Sequence, residues 1–248
     1  MEIVVISLVE CHERRRHVSE QLARVGAEFR FFAVERFKEY PASYDRAARW
    51  RIHGNDLNLS EVGCYDSHYR VWKALLASQD QMWCVLEDDV DIHEHFVPTL
   101  QAIASSSVPF GFMRLADDGA EDSWQIARLP NGSIIKDHRK QPFGMQGYVI
   151  HRDAAAVLVE HGRNIIYAVD DMVSRTWEHG VRALSVTPSV VHHRNDLLGT
   201  TIGRIKAKRT LLQKLKREFY MARDSLNSHL HAWRRRSAQP GNDAPPRA

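Results

Sequence analysis

The sequence predicts an α/β protein built around a mostly parallel central sheet. Residues 2–8, Cys11 to Arg24 and residues 28–34 read as strand, helix and strand, and a β-α-β opening favours parallel pairing. Apolar runs at residues 83–86, Phe110 to Leu115, Gln146–Ile150 and Val181–Val186 then alternate with helix-period segments. The run at 83–86 ends abruptly in Glu87-Asp88-Asp89, which places three acids at a strand's C-terminal end, where open α/β sheets bind ligands.

Each element has its own reason. Ile3-Val4-Val5-Ile6-Ser7-Leu8 lacks a basic leader and a cleavage site, so it reads as a first core strand and not as a signal peptide. Val18, Leu22 and Val25 recur at helical spacing before Gly26, a natural stop. Phe29, Phe31, Phe32 and Val34 mark the second strand, and residues 37–58 are polar and unassigned. Ser60 is expected to cap a helix from near Glu61 to about Ala77, buried through Val62, Tyr65, Tyr69, Trp72, Leu75 and Leu76. Phe96 to Ala104 follows as a helix, and Pro130-Asn131-Gly132 turns a hairpin between Trp124–Arg128 and Ser133–Lys136. Arg152–His161 is an alanine-rich helix ended by Gly162, and Asp170–His179 is a short helix ended by Gly180.

These elements group residues 1–203 as one domain, 204–236 as a basic amphipathic helical tail and 237–248 as a disordered C-terminus. The 248 residues are 44% hydrophobic and 26% charged, ordinary for a soluble globular protein. No stretch is apolar for long enough to span a bilayer. Cys11, Cys64 and Cys84 are odd in number and lack zinc spacing, which predicts free thiols in a reducing, cytoplasmic compartment. The net charge of +3 hides an asymmetry: residues 204–236 carry eleven Lys/Arg against Glu218 and Asp224, whereas residues 1–203 are net negative. A basic tail on an acidic body suits an anionic surface.

Three adjacent carboxylates repel one another unless a cation lies between them. Hard oxygen ligands suit Mg²⁺ or Mn²⁺. The alternative is an acidic loop that simply faces water.

Four segments occur in order: Ile6-Ser7-Leu8 with Arg14-Arg15; Leu59-Ser60-Glu61-Val62-Gly63-Cys64-Tyr65-Asp66-Ser67-His68; Leu86-Glu87-Asp88-Asp89-Val90; and Gly147-Tyr148-Val149-Ile150 with Ala154-Ala155. Val169-Asp170 follows as a fifth. This set resembles glycosyltransferase family 25, which includes bacterial lipo-oligosaccharide and animal collagen galactosyltransferases, over roughly residues 1–200. The sequence departs from many members in having Ser7 for Asn, Val34-Glu35-Arg36 in a turn that is often acidic or glycine-containing, and Asp66 where a small or apolar residue is common.

The resemblance implies a GT-A-like Rossmann-type α/β/α sandwich. It also implies an inverting transferase that moves a hexose, often galactose, from a UDP-sugar to a glycan or glycolipid acceptor in lipopolysaccharide or surface-polysaccharide biosynthesis. Glu87-Asp88-Asp89 then stands for the DxD motif. Asp89 would ligate Mn²⁺ or Mg²⁺, with Glu87 or Asp88 at the ribose or a metal-bound water and His192 or His193 as a further ligand. Ser7, Leu8, Gln146, Gly147 and Tyr148 fall on the donor side by the same resemblance. Arg14 is a candidate grip on phosphate, with an exposed helix face as the alternative. Asp170, with Asp171 second, is the expected acceptor-side base, although both also sit where a helix cap would. Ser67-His68 lies near the site in a structural role, and Gly147 permits a close approach.

In the tail, Leu211, Leu212, Leu215 and Phe219 share one helical face among cations. Such a helix can lie on anionic lipid at the cytoplasmic face of an inner membrane, or pack on the body through its leucines. No nucleic-acid module is visible. The competing reading of the whole chain is a catalytically silent α/β protein that binds nucleotide or membrane.

Overall fold

In the computed structural model, the described residues are 1–116, 122–194 and 210–237, with Leu212 described by its backbone alone. The opening unit forms as read: β1 (Glu2–Leu8), α1 (His12–Arg24) and β2 (Arg30–Val34), with β1 and β2 parallel. Gly26 takes the left-handed turn after α1, at φ 67°, which L side chains resist.

The unassigned stretch holds α2 (Arg46–His53), capped by Asp45, whose side chain accepts from Ala48 N at 2.8 Å. Its two turns are too short and too arginine-rich to show a period. α3 (Leu59–Ala77) begins earlier than expected because Asn58, and not Ser60, is its cap. Asn58 Oδ1 accepts from Glu61 N, and Glu61 Oε2 accepts from Asn58 N, both at 2.8 Å. This reciprocal pair is a capping box, and it leaves Ser60 in the first turn.

The remaining elements are β3 (Met82–Glu87), β4 (Val90–Ile92), α4 (Phe96–Ala104), β5 (Phe112–Arg114), β6 (Ser123–Arg128), β7 (Ile134–His138), β8 (Gly147–His151), α5 (Arg152–His161), α6 (Val169–Ser174), α7 (Thr176–His179), β9 (Ala183–Thr187), β10 (Val191–His193) and α8 (Leu211–Ser237). The single helix expected over Asp170–His179 is split at Arg175, whose backbone leaves helical geometry at φ −80°, ψ 50°. Its guanidinium is buried between Glu178 and Asp224, at 2.9 and 2.8 Å, the partners a buried charge requires. Of the segment expected to be disordered over 237–248, Ser237 is helical as the last residue of α8, and 238–248 lie outside the described residues, as does the start of the tail, 204–209.

The main sheet runs β2-β1-β3-β8-β5-β9-β7-β6. Through its registers, β2, β1, β3, β5, β9 and β6 point one way, and β8 and β7 point the other. Side chains alternate across the pleat. Ile3 and Val5 pack with Val18 and Leu22 of α1 and Phe96 and Ile103 of α4, while Val4 and Ile6 pack with Trp72 and Leu75 of α3 and Leu158 of α5. The result is a three-layer α/β/α sandwich.

Two departures from a parallel plan position the site. β8 runs antiparallel to β3, so Leu86 stands opposite Gly147 at the carboxyl rim of the sheet. A Cβ on Gly147 would lie 2.9 Å from Leu86 Cδ2 and 3.1 Å from Val191 Cγ2. The close approach predicted for this glycine is therefore to core side chains. β10 pairs antiparallel with β4 as a separate ribbon, with His193 opposite Val90, and this folds a late segment back over the acids.

Asn58→Ala is expected to lower stability by about 1 kcal/mol, and Ser60→Ala to stay within about 0.5 kcal/mol. Urea unfolding midpoints of the two variants check the reassigned cap.

Candidate active site

A cleft of about 310 Å³ opens over the carboxyl ends of the first three parallel strands. Ile6, Leu8 and Val34 line its strand side, and Leu59, Ser60, Gly63 and Cys64 bring the first turns of α3 to it. Glu87, Asp88, Asp89, Arg14 and His193 supply its charge.

Glu87 ends β3, and Asp88 and Asp89 occupy the tight link to β4. Three carboxylates thus converge with little water. Burial pushes the Asp88 carboxyl up, against the pull of the Ser7 hydroxyl and Arg14. Burial, then the neighbouring Glu87 charge, pushes Asp89 up to about 6. Burial works the same way on Glu87, but the His68 hydrogen bond and the His68 and His193 charges outweigh it and hold this carboxyl below its usual range.

Arg14 is shared by two of the acids, and His68 serves the third. Arg14 Nη1 donates to Asp89 Oδ2 at 2.9 Å and to Asp88 Oδ1 at 3.3 Å. Its neighbour Arg15 points away, its guanidinium 4.1 Å from the centre of the Phe31 ring. His68 Nε2 lies 3.4 Å from Glu87 Oε1, and its Nδ1 lies 2.9 Å from the Tyr148 hydroxyl, which also accepts from Trp72 Nε1 at 3.0 Å. The chain Trp72–Tyr148–His68–Glu87 fixes the first acid from inside the core.

His193 Nε2 stands 3.5 Å from Asp89 Oδ2. His192, the other candidate, is exposed and pairs in register with Asp91 on the outer strand. Strand alternation turns His193 toward the acids and His192 away from them, and sequence alone did not reveal which face was inward.

The residues present fit a divalent ion. The ligand atoms of Glu87, Asp89 and His193 all lie within 4.8 Å of one another. Asp89 Oδ1 is buried without a hydrogen-bond partner among the described residues. Two hard oxygens and one imidazole suit Mn²⁺ and still accommodate Mg²⁺.

Several expected donor contacts are displaced. Leu8, Arg14, Glu87 and Asp88 line the cleft, but Ser7, Gln146, Gly147 and Tyr148 do not. Ser7 is buried behind Asp88 and holds it. Tyr148 is wholly buried and acts on Glu87 through His68. Gln146 contributes its backbone carbonyl, which accepts from Glu87 N at 2.9 Å.

Asp170 and Asp171 lie outside the cleft lining and face different neighbours. Asp170 Oδ2 accepts from Gly144 N at 3.4 Å, and its charge reaches Arg114 and Cys64. Asp171 Oδ1 stands 3.8 Å from Arg175 Nη1, and burial pushes its carboxyl up to about 6. Asp170 is thus the carboxylate on the side of the cleft, and Asp171 the one on the side of α8.

Two site-adjacent groups escaped the sequence reading. Cys64 Sγ lies 3.6 Å from Glu87 Oε1, and burial, then Glu87 and Asp170, push its thiol well up. Its i, i+4 spacing to His68 on one helix face was the available signal. Arg114, buried in β5, donates to Gly144 O and Ser174 Oγ at 3.2 and 3.1 Å, and burial lowers its pKa to about 10. A lone arginine in an apolar strand was its only mark.

An open α/β sheet with paired acids, an imidazole and a guanidinium at its carboxyl rim defines the class: an α/β protein with a candidate site for a cation and an anionic ligand. The family profile described as "Glycosyltransferase family 25 (LPS biosynthesis protein)" matches residues 1–173, and the chain belongs to this family. It is 23% identical over 208 residues to the lipooligosaccharide biosynthesis protein lex-1 of Haemophilus influenzae, covering 70% of this chain and 69% of that protein. It is 22% identical over 174 residues to a glycosyltransferase 25 family member of Aedes aegypti, covering 64% of this chain but only 28% of that longer protein. Among solved structures, the galactosyltransferase LgtC in complex with donor and acceptor sugar analogs aligns with 90% of this chain and 96% of its own, at TM-score 0.42 and 12% identity. The layered fold agrees with the GT-A-like sandwich that the resemblance implies.

Two outcomes test this geometry. Protonated Asp89 is a poor ligand, so Mn²⁺ affinity measured by calorimetry should fall as pH drops through about 6. Tyr148→Phe strands Trp72 Nε1 and His68 Nδ1, and chemical denaturation should show a loss of about 1–3 kcal/mol.

Proposed function

We propose that the chain is an inverting, metal-dependent hexosyltransferase. It would take the sugar, galactose first among candidates, from a UDP-sugar and pass it to a glycan or glycolipid acceptor of surface-polysaccharide assembly. The observation that supports this most is the convergence of Glu87, Asp89 and His193 beside Arg14 in one cleft at the sheet's carboxyl rim.

A divalent ion held by these three groups would neutralise the charge that builds on the departing diphosphate. The chain's own groups supply the rest. Arg14, now paired with Asp88 and Asp89, has the planar fork that grips phosphate oxygens. Its exchange of carboxylates for diphosphate couples donor arrival to a reordering of the rim. His68 and Ser7 keep Glu87 and Asp88 in place during that exchange. Asp170 is the acceptor-side base. As the acceptor oxygen bonds to the anomeric carbon, the bond to the diphosphate breaks, UDP leaves with that electron pair, and Asp170 takes the hydroxyl proton. One displacement inverts the anomeric centre and needs no enzyme nucleophile.

Calorimetry should show UDP binding that requires Mn²⁺ or Mg²⁺ and weakens at least about tenfold in Asp89→Asn and His193→Ala, with His192→Ala near wild type; outer partners of metal ligands already cost about 10–100-fold. Metal-independent UDP binding, unchanged in Asp89→Asn, would overturn the reading. Proton NMR of the product of a UDP-α-hexose should show a β-linked sugar, and an α-linked product would exclude the single displacement.

A further inference from the structure

α8 is docked by its polar side. Asp224 Oδ2 meets Arg175 Nη2 at 2.8 Å, and Arg235 reaches Asp137 Oδ1 and Oδ2 at 3.0 and 3.1 Å. Ala232 is buried at 2% exposure. The helix packs in this way over α2 and α7. The leucines that sequence alone could have placed against the body instead point away from it. Leu211, Leu215, Phe219, Leu226, Leu230 and Trp233 are 78, 68, 68, 57, 46 and 67% exposed. Their spacings of four, four, seven, four and three residues set them in one stripe roughly 100° wide. Lys216, Arg223 and Arg234 follow one flank of it, and Lys214 and Arg236 the other, together with Glu218, which is paired to Arg217.

An apolar stripe of this length is costly to leave in water, and its cationic borders select the occupant. We propose that α8 seats the protein on an anionic lipid bilayer, with the stripe at the acyl boundary and the bordering cations at the headgroups. A helix lying in the interface has this cross-section, and no helix among the described residues is long and apolar enough to cross the membrane. A second copy is disfavoured by charge, since face-to-face stripes would bring like-charged borders together. Trp233, at the helix end, has the amphipathic ring that settles at headgroup level.

The seat adjoins the acceptor side of the site. Arg175 touches Asp224 of α8 on one side and faces Asp171 on the other. Asp224 is on the docked face of α8, so lipid on the opposite face would lie one helix width, about 10 Å, beyond Arg175 and Asp171, within reach of a lipid-anchored glycan under the proposed function. Lipid seating stands on the helix alone; only its relation to the acceptor rests on the proposed function.

The test is co-sedimentation of the full chain with vesicles of phosphatidylcholine, with and without phosphatidylglycerol. The anionic vesicles should bind at least about tenfold more tightly at low salt, because roughly 1 kcal/mol per surface cation needs fewer than two effective cations to reach that ratio. The triple variant Leu215→Ser, Phe219→Ser, Leu226→Ser should lose at least about tenfold of this binding, with helicity by circular dichroism and UDP binding unchanged. Equal binding to neutral and anionic vesicles would overturn the proposal. So would binding that survives the triple variant, or no vesicle binding, whether sedimentation then shows a monomer or a dimer dispersed by the same substitutions. Because vesicle binding is read without donor or acceptor, its failure is distinct from failure of the transferase reading.

Discussion

The crowding of Glu87, Asp88 and Asp89 is the constraint to which the surrounding structure answers. Two like charges about 4 Å apart cost about 4 kcal/mol at a protein-like dielectric, and three on consecutive residues cannot all be relieved by turning away. The fold meets them with three sets of groups that share Arg14: His68 from α3 for Glu87, Ser7 from β1 with Arg14 for Asp88, and Arg14 with His193 for Asp89. Compensation is incomplete at Asp88, whose carboxyl stays raised, and more so at Asp89, whose carboxyl is pushed up to about 6 and whose Oδ1 has no hydrogen-bond partner among the described residues. A divalent ion would remove that deficit most directly, so the electrostatics and the donor set point to the same atom.

The scaffold delivers these groups from distant parts of the chain. Parallel β1 and β3 place Ser7 and the acids at one rim. The reversal of β8 brings the Tyr148 hydroxyl under His68, while the β4–β10 ribbon carries His193 back over the acids. Gly147 allows Leu86 and Val191 to close beneath this junction. Its role in the fold is therefore to let the two sub-structures meet.

Elements with a strong local signal were legible in the sequence. β1, α4 and α5 occur where their periodicity and stop residues put them, and the acid cluster sits at a strand end as its pattern implied. Features decided by tertiary partners were not legible. The break at Arg175 depends on Asp224, some fifty residues later in the chain. The cap at Asn58, by contrast, was readable as the pattern Asn58-Leu59-Ser60-Glu61, whereas Ser60 has only Gly63 three residues on and no side chain to reciprocate. The choice of His193 over His192 turns on the face of a three-residue strand. Tyr148 and Ser7 carried family signals but are buried, because those signals mark the groups that hold the acids as well as those that touch a ligand. For α8 the apolar stripe was visible in sequence, but its outward direction was set by Arg175 and Asp137 of the body.

On the reading we propose, the acid cluster is a cation seat that Arg14 shares until a nucleoside diphosphate arrives. Anomalous scattering from crystals grown with Mn²⁺ and UDP addresses it most directly. A manganese peak bounded by Glu87, Asp89 and His193 is expected, with the Arg14 guanidinium moved from Asp89 onto the diphosphate. UDP bound in the cleft with no manganese peak, and Arg14 still paired to Asp88 and Asp89, would contradict it.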